Sequence, residues 1–205
     1  MKVLLINGSP KAKGNTAFAL DQMAEVFADQ GIETEIIQVG SQVIRGCVAC
    51  GSCYKTGKCV FDDLVNEVAA KFEEADGMVV GTPVYYASPN GTLIAFLDRL
   101  FYSSGFSKRM KVGASVAVAR RAGCSAALEV LDKYFTISEM PVAPSTYWNL
   151  IHGGKPGEAQ QDPEGIRTVR NLAKNMSYMM KAFAAARDTV ELPESEPKVF
   201  TNFIR

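Results

Sequence analysis

The first twenty residues, MKVLLINGSPKAKGNTAFAL (1–20), determine how the rest of the chain is interpreted. Val3–Ile6 is a short apolar run, typical of a buried strand. A loop with two glycines and two lysines follows at 7–16, and apolar residues then recur at helical spacing from Thr16 to Gln30, where Gly31 ends the pattern. This stretch therefore predicts a strand that enters a helix through a glycine-containing loop.

The same alternation of strand and helix signals continues to residue 187. We predict further strands at Glu35–Val39, Gly77–Thr82, Val112–Ala119 and Val142–Pro144, and further helices at Leu64–Glu74, Asn90–Tyr102, Ser125–Phe135 and Ile166–Arg187. Such alternation predicts an α/β fold with a doubly wound parallel sheet and helices on both faces. Five strands fit the flavodoxin-like order 2-1-3-4-5 better than the six-stranded dinucleotide-binding fold.

Residues 1–187 are predicted to form one domain, and residues 188–205 a C-terminal extension. The extension ends with Val199, Phe200, Phe203 and Ile204, which are too apolar for a solvated terminus. We expect it to pack on a neighbouring subunit; packing on its own subunit is the alternative.

Charge and hydropathy exclude several functional classes. Lys and Arg total 22, as do Asp and Glu, so the basic surface expected of a nucleic-acid-binding protein is not indicated. We also predict no membrane association, because no apolar run approaches the ~20 residues that span a bilayer. The first apolar run is too short for a secretory signal. We therefore expect a cytoplasmic protein, in which cysteines are more often metal-binding or redox-active than disulfide-bonded.

The loop at 7–16, NGSPKAKGNT, is a candidate phosphate site. It precedes a helix whose N-terminal N–H groups attract anions, and it lies where doubly wound sheets bind ligands. It matches neither the Walker A motif nor the dinucleotide fingerprint, so a terminal phosphate monoester suits it best. An ordinary glycine-rich turn is the alternative.

Two more loops follow strands at the same edge of the sheet. In TPVYYASPNGTL (82–93), Tyr85 and Tyr86 can flank a flat aromatic ring. In ARRAG (119–123), Arg120 and Arg121 place positive charge where a reduced, anionic ring would need it. Taken singly, the tyrosines could simply pack within the protein, and the arginines could lie in a solvated turn. Three loops at one edge instead favour a shared ligand.

Four of the five cysteines form the pattern C-x2-C-x2-C-x5-C in a cysteine loop at 46–61: Cys47, Cys50, Cys53 and Cys59. Closely spaced thiolates of this kind can hold a four-iron, four-sulfur (4Fe-4S) cluster. A zinc site is an alternative, although zinc sites usually separate two C-x2-C pairs by a longer spacer; redox-active thiols are another. Cys124 stands apart and is expected to be a buried thiol or one beside the bound aromatic ring.

These motifs resemble the flavodoxin-like NADPH-dependent FMN reductase family, and within it the iron–sulfur flavoproteins. The resemblance covers residues 1–187 and rests on NGSPKAKGNT, the cysteine run ending CVFDD, TPVYYASPNGTLIAFLDR, VAVARRAG and YWNLIHGGKPGEAQQDPEG. It implies that Ser9, Lys11, Asn15 and Thr16 hold the FMN phosphate, that Pro83, Val84, Tyr85 and Tyr86 lie against the isoalloxazine, and that Arg120, Arg121 and Gly123 close over its pyrimidine side.

The resemblance also implies a mechanism without a catalytic acid or base, because the flavin N5 carries the chemistry. NAD(P)H would reduce FMN as a transient co-substrate, and FMN would then reduce a quinone, a free flavin or another small electron acceptor. The alternative is an electron carrier for a ferredoxin-like protein, and a third reading is a flavin-free thiol protein. A homodimer or homotetramer is implied in either flavin-dependent case.

Five other residues have candidate roles. His152 could relay a proton near the flavin or be incidental. Tyr147 and Trp148 could form a substrate pocket, but a core or interface role is favoured. Arg99, with its neighbour Asp98, is expected to be structural, pairing near the end of its helix.

Overall fold

In the computed structural model, which describes residues 1–197, 199–201 and 203, a five-stranded parallel sheet forms the centre of the protein. The strands are β1 (Lys2–Asn7), β2 (Glu33–Gln38), β3 (Gly77–Pro83), β4 (Val112–Ala119) and β5 (Leu150–His152). Their order is β2-β1-β3-β4-β5, which confirms the predicted flavodoxin-like fold.

Within the described residues, five helices lie in the connections between strands: α1 (Asn15–Asp29), α2 (Cys53–Thr56), α3 (Leu64–Glu74), α4 (Gly91–Ser103) and α5 (Cys124–Thr136); α6 (Pro163–Ala186) follows β5. A short 3-10 helix at Glu158–Gln161 precedes α6. In the part of the chain that the structure describes, none of the helices is long and apolar enough to cross a membrane.

Alternating residues of each strand face two separate layers, as the pleat of a strand requires. In β1, Val3 and Leu5 pack with residues of α1 and α6. Leu4 and Ile6 face the opposite layer, formed by α3, α4 and part of α5. Because both faces are covered, β1, β3 and β4 are apolar almost throughout, and their carboxyl ends are positioned rigidly.

The fifth strand was predicted at the wrong place. Residues 142–144 contribute only an isolated bridge between Val142 and Gly113 at the start of β4. The strand is Leu150–His152, which pairs with Ala117–Ala119 at the end of β4. Three residues carry too little apolar periodicity to be recognised locally, and pairing with β4 creates the strand. This position brings the glycine-rich loop after β5 to the carboxyl edge of the sheet.

Three of the four apolar residues that end the extension, Val199, Phe200 and Phe203, are described by the structure and are almost fully exposed. They do not pack on their own chain in this structure, and packing on a neighbouring subunit stays a prediction. Ile204 lies outside the described residues.

Candidate functional site

The loop between β1 and α1 is framed by the ends of β1 and β2. Asn7 lies opposite Gln38 in the parallel register, and its side-chain amide donates to Gln38 Oε1 at 2.7 Å. Asn7 Oδ1 accepts the Ser9 backbone N–H at 3.0 Å, and Gln38 Nε2 donates to the Ser9 carbonyl at 2.6 Å. These bonds hold the start of the loop against the carboxyl edge of the sheet.

The same loop leads into the N-terminus of α1. Gly14 occupies the cap position, and no side chain among the described residues caps the helix. The first N–H groups of a helix lack intrahelical acceptors and carry the positive end of its dipole. They are therefore available to an anion in the loop.

A cavity of about 230 Å³, which we call the basic cavity, opens between the loops that follow β1, β3, β4 and β5. Eight of the predicted site residues line it: Ser9, Lys11, Asn15, Thr16, Pro83, Val84, Tyr85 and Arg120. The charged residues of this lining, Lys11 and Arg120, are both basic, which favours a phosphate through Coulombic attraction. Tertiary structure thus brings together loops that the sequence predicts one by one.

Tyr86, another predicted site residue, stands outside this lining at the tip of a tight turn. The backbone N–H and carbonyl groups of Tyr85 and Ser88 bond reciprocally at 2.9 and 3.0 Å. Between them, Tyr86 and Ala87 have φ values of 51° and 56°, which define a type I′ turn. Left-handed backbone costs a non-glycine residue about 1–2 kcal/mol, so the turn presents the exposed Tyr86 ring at an energetic cost.

Arg121 and Gly123, the remaining predicted residues, line a second cavity of about 370 Å³, which we call the edge cavity. Gly123 has a φ of 92°, and a Cβ at this position would lie 2.8 Å from Ala87 Cα. The loop after β4 therefore packs closely on the Tyr85–Ser88 turn, and only glycine fits at the contact.

The edge cavity is also lined by Cys124, Tyr147, Trp148 and His152. His152 Nδ1 is 3.3 Å from the Ala119 carbonyl. Tyr147 and Trp148 form a T-shaped pair with ring centroids 4.8 Å apart, and both are more than half exposed, so a core role is excluded. Cys124 is buried, and burial raises the pKa of its thiol, which keeps it protonated and unreactive.

Asn15 connects two sides of the basic cavity. Its Nδ2 donates to the Lys155 carbonyl at 2.9 Å, and its Oδ1 accepts the backbone N–H groups of Gly157 and Ala159 at 3.1 and 3.3 Å. The side chain predicted to hold a phosphate thus ties the loop after β1 to the loop after β5. Asn15 therefore affects a bound ligand in large part by fixing the position of the loop after β5.

We expect Asn15→Ala to loosen the loop at 153–159 and to weaken FMN binding by about tenfold, because each lost hydrogen bond contributes roughly 0.5–1.5 kcal/mol. Hydrogen–deuterium exchange of the 153–159 amides and a fluorescence titration with FMN measure the two effects. Gln22→Ala, which removes contacts to Glu25 within α1 and to Arg170 in α6 but none to the loop at 153–159, is the control. Unchanged exchange at 153–159 would contradict the connecting role.

The cysteine loop encloses a cavity of about 340 Å³, which we call the thiol cavity; its lining includes Cys47, Cys50, Cys53 and Cys59. All four are free thiols, the first two exposed and the others partly buried. Within the described ranges, no three Cys, His, Asp or Glu side chains converge to hold a metal ion. The four sulfurs line one cavity but do not converge on a common point. Metal binding is coupled to folding in many proteins, so it can bring ligands together.

Arg99, in α4, is almost completely buried and holds the cysteine loop from behind. Its guanidinium forms a bidentate pair with Asp63 at 2.7 and 2.9 Å. Nε donates to Cys59 Sγ at 3.2 Å, and weaker contacts at 3.4 Å reach the Arg45 and Phe61 carbonyls. Burial acts to lower the pKa of Arg99, but the bonds to Asp63 and Cys59 outweigh it and raise that pKa. All five N–H donors of the guanidinium therefore have acceptors in the protein.

Ser103 lies one helical turn after Arg99 and also lines the thiol cavity. Its hydroxyl is buried and has no hydrogen-bond partner among the residues that the structure covers. A buried, unpaired hydroxyl costs about 1–3 kcal/mol, and such groups are rare in native proteins. The Ser103 hydroxyl is therefore available as a donor to a group with acceptor atoms.

The model of the NADPH-dependent FMN reductase family matches residues 1–155. The chain belongs to this family. An iron–sulfur flavoprotein of Methanocaldococcus jannaschii is 35% identical over 189 residues, which are 88% of this chain and 98% of that protein. One from Methanosarcina thermophila is 30% identical over 193 residues, 92% of this chain and 100% of the relative.

These relatives assign the chain to the iron–sulfur flavoprotein subgroup of the FMN reductase family, as its motifs predict. Among solved structures, RosB with the bound intermediate 8-demethyl-8-formylriboflavin-5'-phosphate aligns with a TM-score of 0.72 at 17% identity. That alignment covers 100% of this chain and 94% of RosB, and it supports the shared fold alone. The family membership makes the protein a flavin oxidoreductase.

Both cavities fit the groups that the subgroup implies. The basic cavity offers an uncapped helix N-terminus and two cations to the FMN phosphate. The thiol cavity offers four soft sulfur ligands, the donor type that iron–sulfur clusters use, together with the unpaired Ser103 hydroxyl. The residues that line each cavity therefore have the chemistry needed to bind its group, the FMN phosphate or the iron–sulfur cluster.

Several important residues were missed by sequence reasoning. Gly153, Gly154 and Pro156 line the basic cavity; the glycine pair after the apolar Leu150–Ile151 was the available signal. Gly40 packs against the backbone of Gly8 and Ser9, a contact that no local pattern reveals.

Proposed function

We propose that this FMN reductase family member binds FMN in the basic cavity and transfers electrons from NADH or NADPH to a quinone, a free flavin or another small organic acceptor. We further propose that Cys47, Cys50, Cys53 and Cys59 hold a 4Fe-4S cluster. The observation that carries the proposal is the presence of four free thiols around one cavity, in a chain whose basic cavity suits a phosphate.

The protein's own residues bind and orient the flavin. Lys11 and the N-terminus of α1 neutralise the phosphate, and Tyr85 flanks the ring. Arg120 favours the negative charge of the reduced ring. When bound, FMN supplies two-electron exchange with nicotinamides, and no side chain needs to move a proton as an obligatory acid or base.

The cysteine loop would supply the second redox group. Thiolates at two-residue intervals can ligate a cluster from one short segment, and left-handed glycines at Gly51 and Gly57 permit its tight turns. The cluster, when bound, transfers single electrons.

Anaerobic purification with FMN, iron and sulfide measured per chain tests both halves of the proposal. We expect one FMN, four irons and four sulfides, and bleaching of the flavin absorbance on mixing with NADH or NADPH. Full FMN without iron would disprove the cluster and leave the flavin proposal intact. A colourless protein that does not take up added FMN would disprove both.

A second candidate function is electron transfer to a ferredoxin-like protein. It is favoured by the exposure of Cys47 and Cys50 and of the cavity-lining Tyr54 and Tyr102, because a partner could approach the redox group closely. Fast reduction by a ferredoxin with slow bleaching by nicotinamides would support it. For either function we propose a homodimer or homotetramer in the cytoplasm.

A further inference from the structure

Two side chains of α4 lie beside the cysteines without being ligands. Arg99 and Ser103 are one turn apart on the same helix face, and both line the thiol cavity. Arg99 is 1% exposed and Ser103 is 3% exposed. The face of α4 that meets the cysteine loop therefore carries two hydrogen-bond donors that water scarcely reaches.

The two donors differ in their hydrogen-bond partners. Arg99 Nε already donates to Cys59 Sγ at 3.2 Å, and its position is set by the bidentate pair with Asp63. The Ser103 hydroxyl has no acceptor within the described part of the chain. Arg99 Nε thus already contacts a cysteine sulfur, whereas the Ser103 hydroxyl is free to donate to an acceptor bound in the thiol cavity.

We propose that Arg99 and Ser103 donate hydrogen bonds to the sulfur atoms of the group held by the cysteine loop and thereby raise its reduction potential. The inference rests on the cluster of the proposed function. Reduction adds one electron to the cluster, and the added negative charge spreads onto its sulfurs. Donors to those sulfurs stabilise the reduced state more than the oxidised state, so they raise the potential.

The structure distinguishes this role from a purely structural one most clearly at Ser103. Because its hydroxyl has no partner, Ser103→Ala should leave the iron-free protein equally or more stable to urea. In the iron-loaded protein the same change should lower the potential. A structural role alone predicts no change in potential.

The experiment measures the cluster midpoint potential by an anaerobic redox titration monitored by electron paramagnetic resonance, with iron and sulfide quantified per chain. We expect Ser103→Ala to shift the one-electron equilibrium toward the oxidised state by about tenfold, which corresponds to about 59 mV. The double variant Arg99→Gln with Asp63→Asn, which removes both charges of the pair together, should shift it in the same direction. Ser104→Ala is the control, because Ser104 bonds to the Leu100 carbonyl and does not line the thiol cavity.

The outcomes separate this inference from the proposed function. A wild-type protein without iron overturns this inference together with the cluster half of the proposed function and leaves the FMN half intact. Ser103→Ala and the double variant with wild-type iron content and wild-type potential overturn the inference alone. Loss of the cluster from Ser103→Ala, with unchanged urea stability of the iron-free protein, supports it, because the hydroxyl then matters only to the bound group. If the double variant does not fold, Ser103→Ala decides the question.

Discussion

Gly40→Ala is expected to lower the affinity for FMN by at least about tenfold, equivalent to roughly 1.4 kcal/mol. A Cβ at Gly40 would lie 2.2 Å from the Gly8 carbonyl oxygen and 2.3 Å from the Ser9 carbonyl carbon. Both atoms belong to the backbone of the phosphate loop, so they cannot move aside as a flexible side chain would. Relief of the clash must displace the loop away from the position in which it meets the basic cavity.

Overpacking of this kind typically also destabilises a protein by about 1–3 kcal/mol. FMN affinity is measured by quenching of flavin fluorescence, and stability by urea denaturation with and without FMN. Gly91→Ala is the matched control: a Cβ there would meet nothing within 4 Å, and alanine favours the helix that begins at Gly91. An FMN affinity of Gly40→Ala equal to that of Gly91→Ala would disprove the proposed contact between Gly40 and the loop.

Arg99→Met is expected to reduce the free energy of unfolding by about 1.5–3 kcal/mol, because the Asp63 carboxylate, which is 31% exposed, loses a charged and almost fully buried hydrogen-bond partner. The Asp63 carboxylate would lose both bonds of the bidentate pair, and the cysteine loop would lose its contacts at Cys59, Arg45 and Phe61. Asp63 also caps α3 by accepting the Val65 N–H at 3.1 Å. The loss should therefore extend from the thiol cavity into α3.

Urea denaturation of the FMN-saturated protein under anaerobic conditions gives the magnitude. Arg170→Met provides the contrast, since Arg170 pairs with Glu25 at a site where the two side chains are 33% and 60% exposed, and exposed pairs contribute about 0–1 kcal/mol. Adding Asp63→Asn to Arg99→Met should recover part of the loss, because it removes the unpaired charge while asparagine still caps α3. Equal losses of unfolding free energy in Arg99→Met and Arg170→Met would contradict a stabilising role for the Arg99–Asp63 pair.

The order of the sheet could be predicted because each element has its own local signal. The apolar runs of β1, β3 and β4 and the helical spacing of α1 and α4 are properties of adjacent residues. Once those elements are known, the rules for parallel connections leave few arrangements. The phosphate loop, the Tyr85–Tyr86 loop and the Arg120–Arg121 loop then meet at one edge without any further information.

The candidate site was predictable only in part, because some of its contacts join residues distant in sequence. Asn15 has the short amide expected of a phosphate ligand, yet its partners lie in the loop after β5. Arg99 was expected to pair, but its partner Asp63 and its contact with Cys59 precede it by 36 and 40 residues. Neither partnership leaves a trace in the neighbouring sequence.

The sequence by itself determined the α/β class, the strand order, the phosphate loop and the four-cysteine motif, because these depend on patterns within a few consecutive residues. Only the tertiary structure decided that β5 is Leu150–His152, that Gly40 supports the phosphate loop, and that Arg99 and Ser103 face the cysteines. The physical reason is that each of these features depends on atoms that are distant in the sequence. A three-residue strand, a backbone contact and a buried donor gain their stability or function only when folding brings those atoms within a few ångströms.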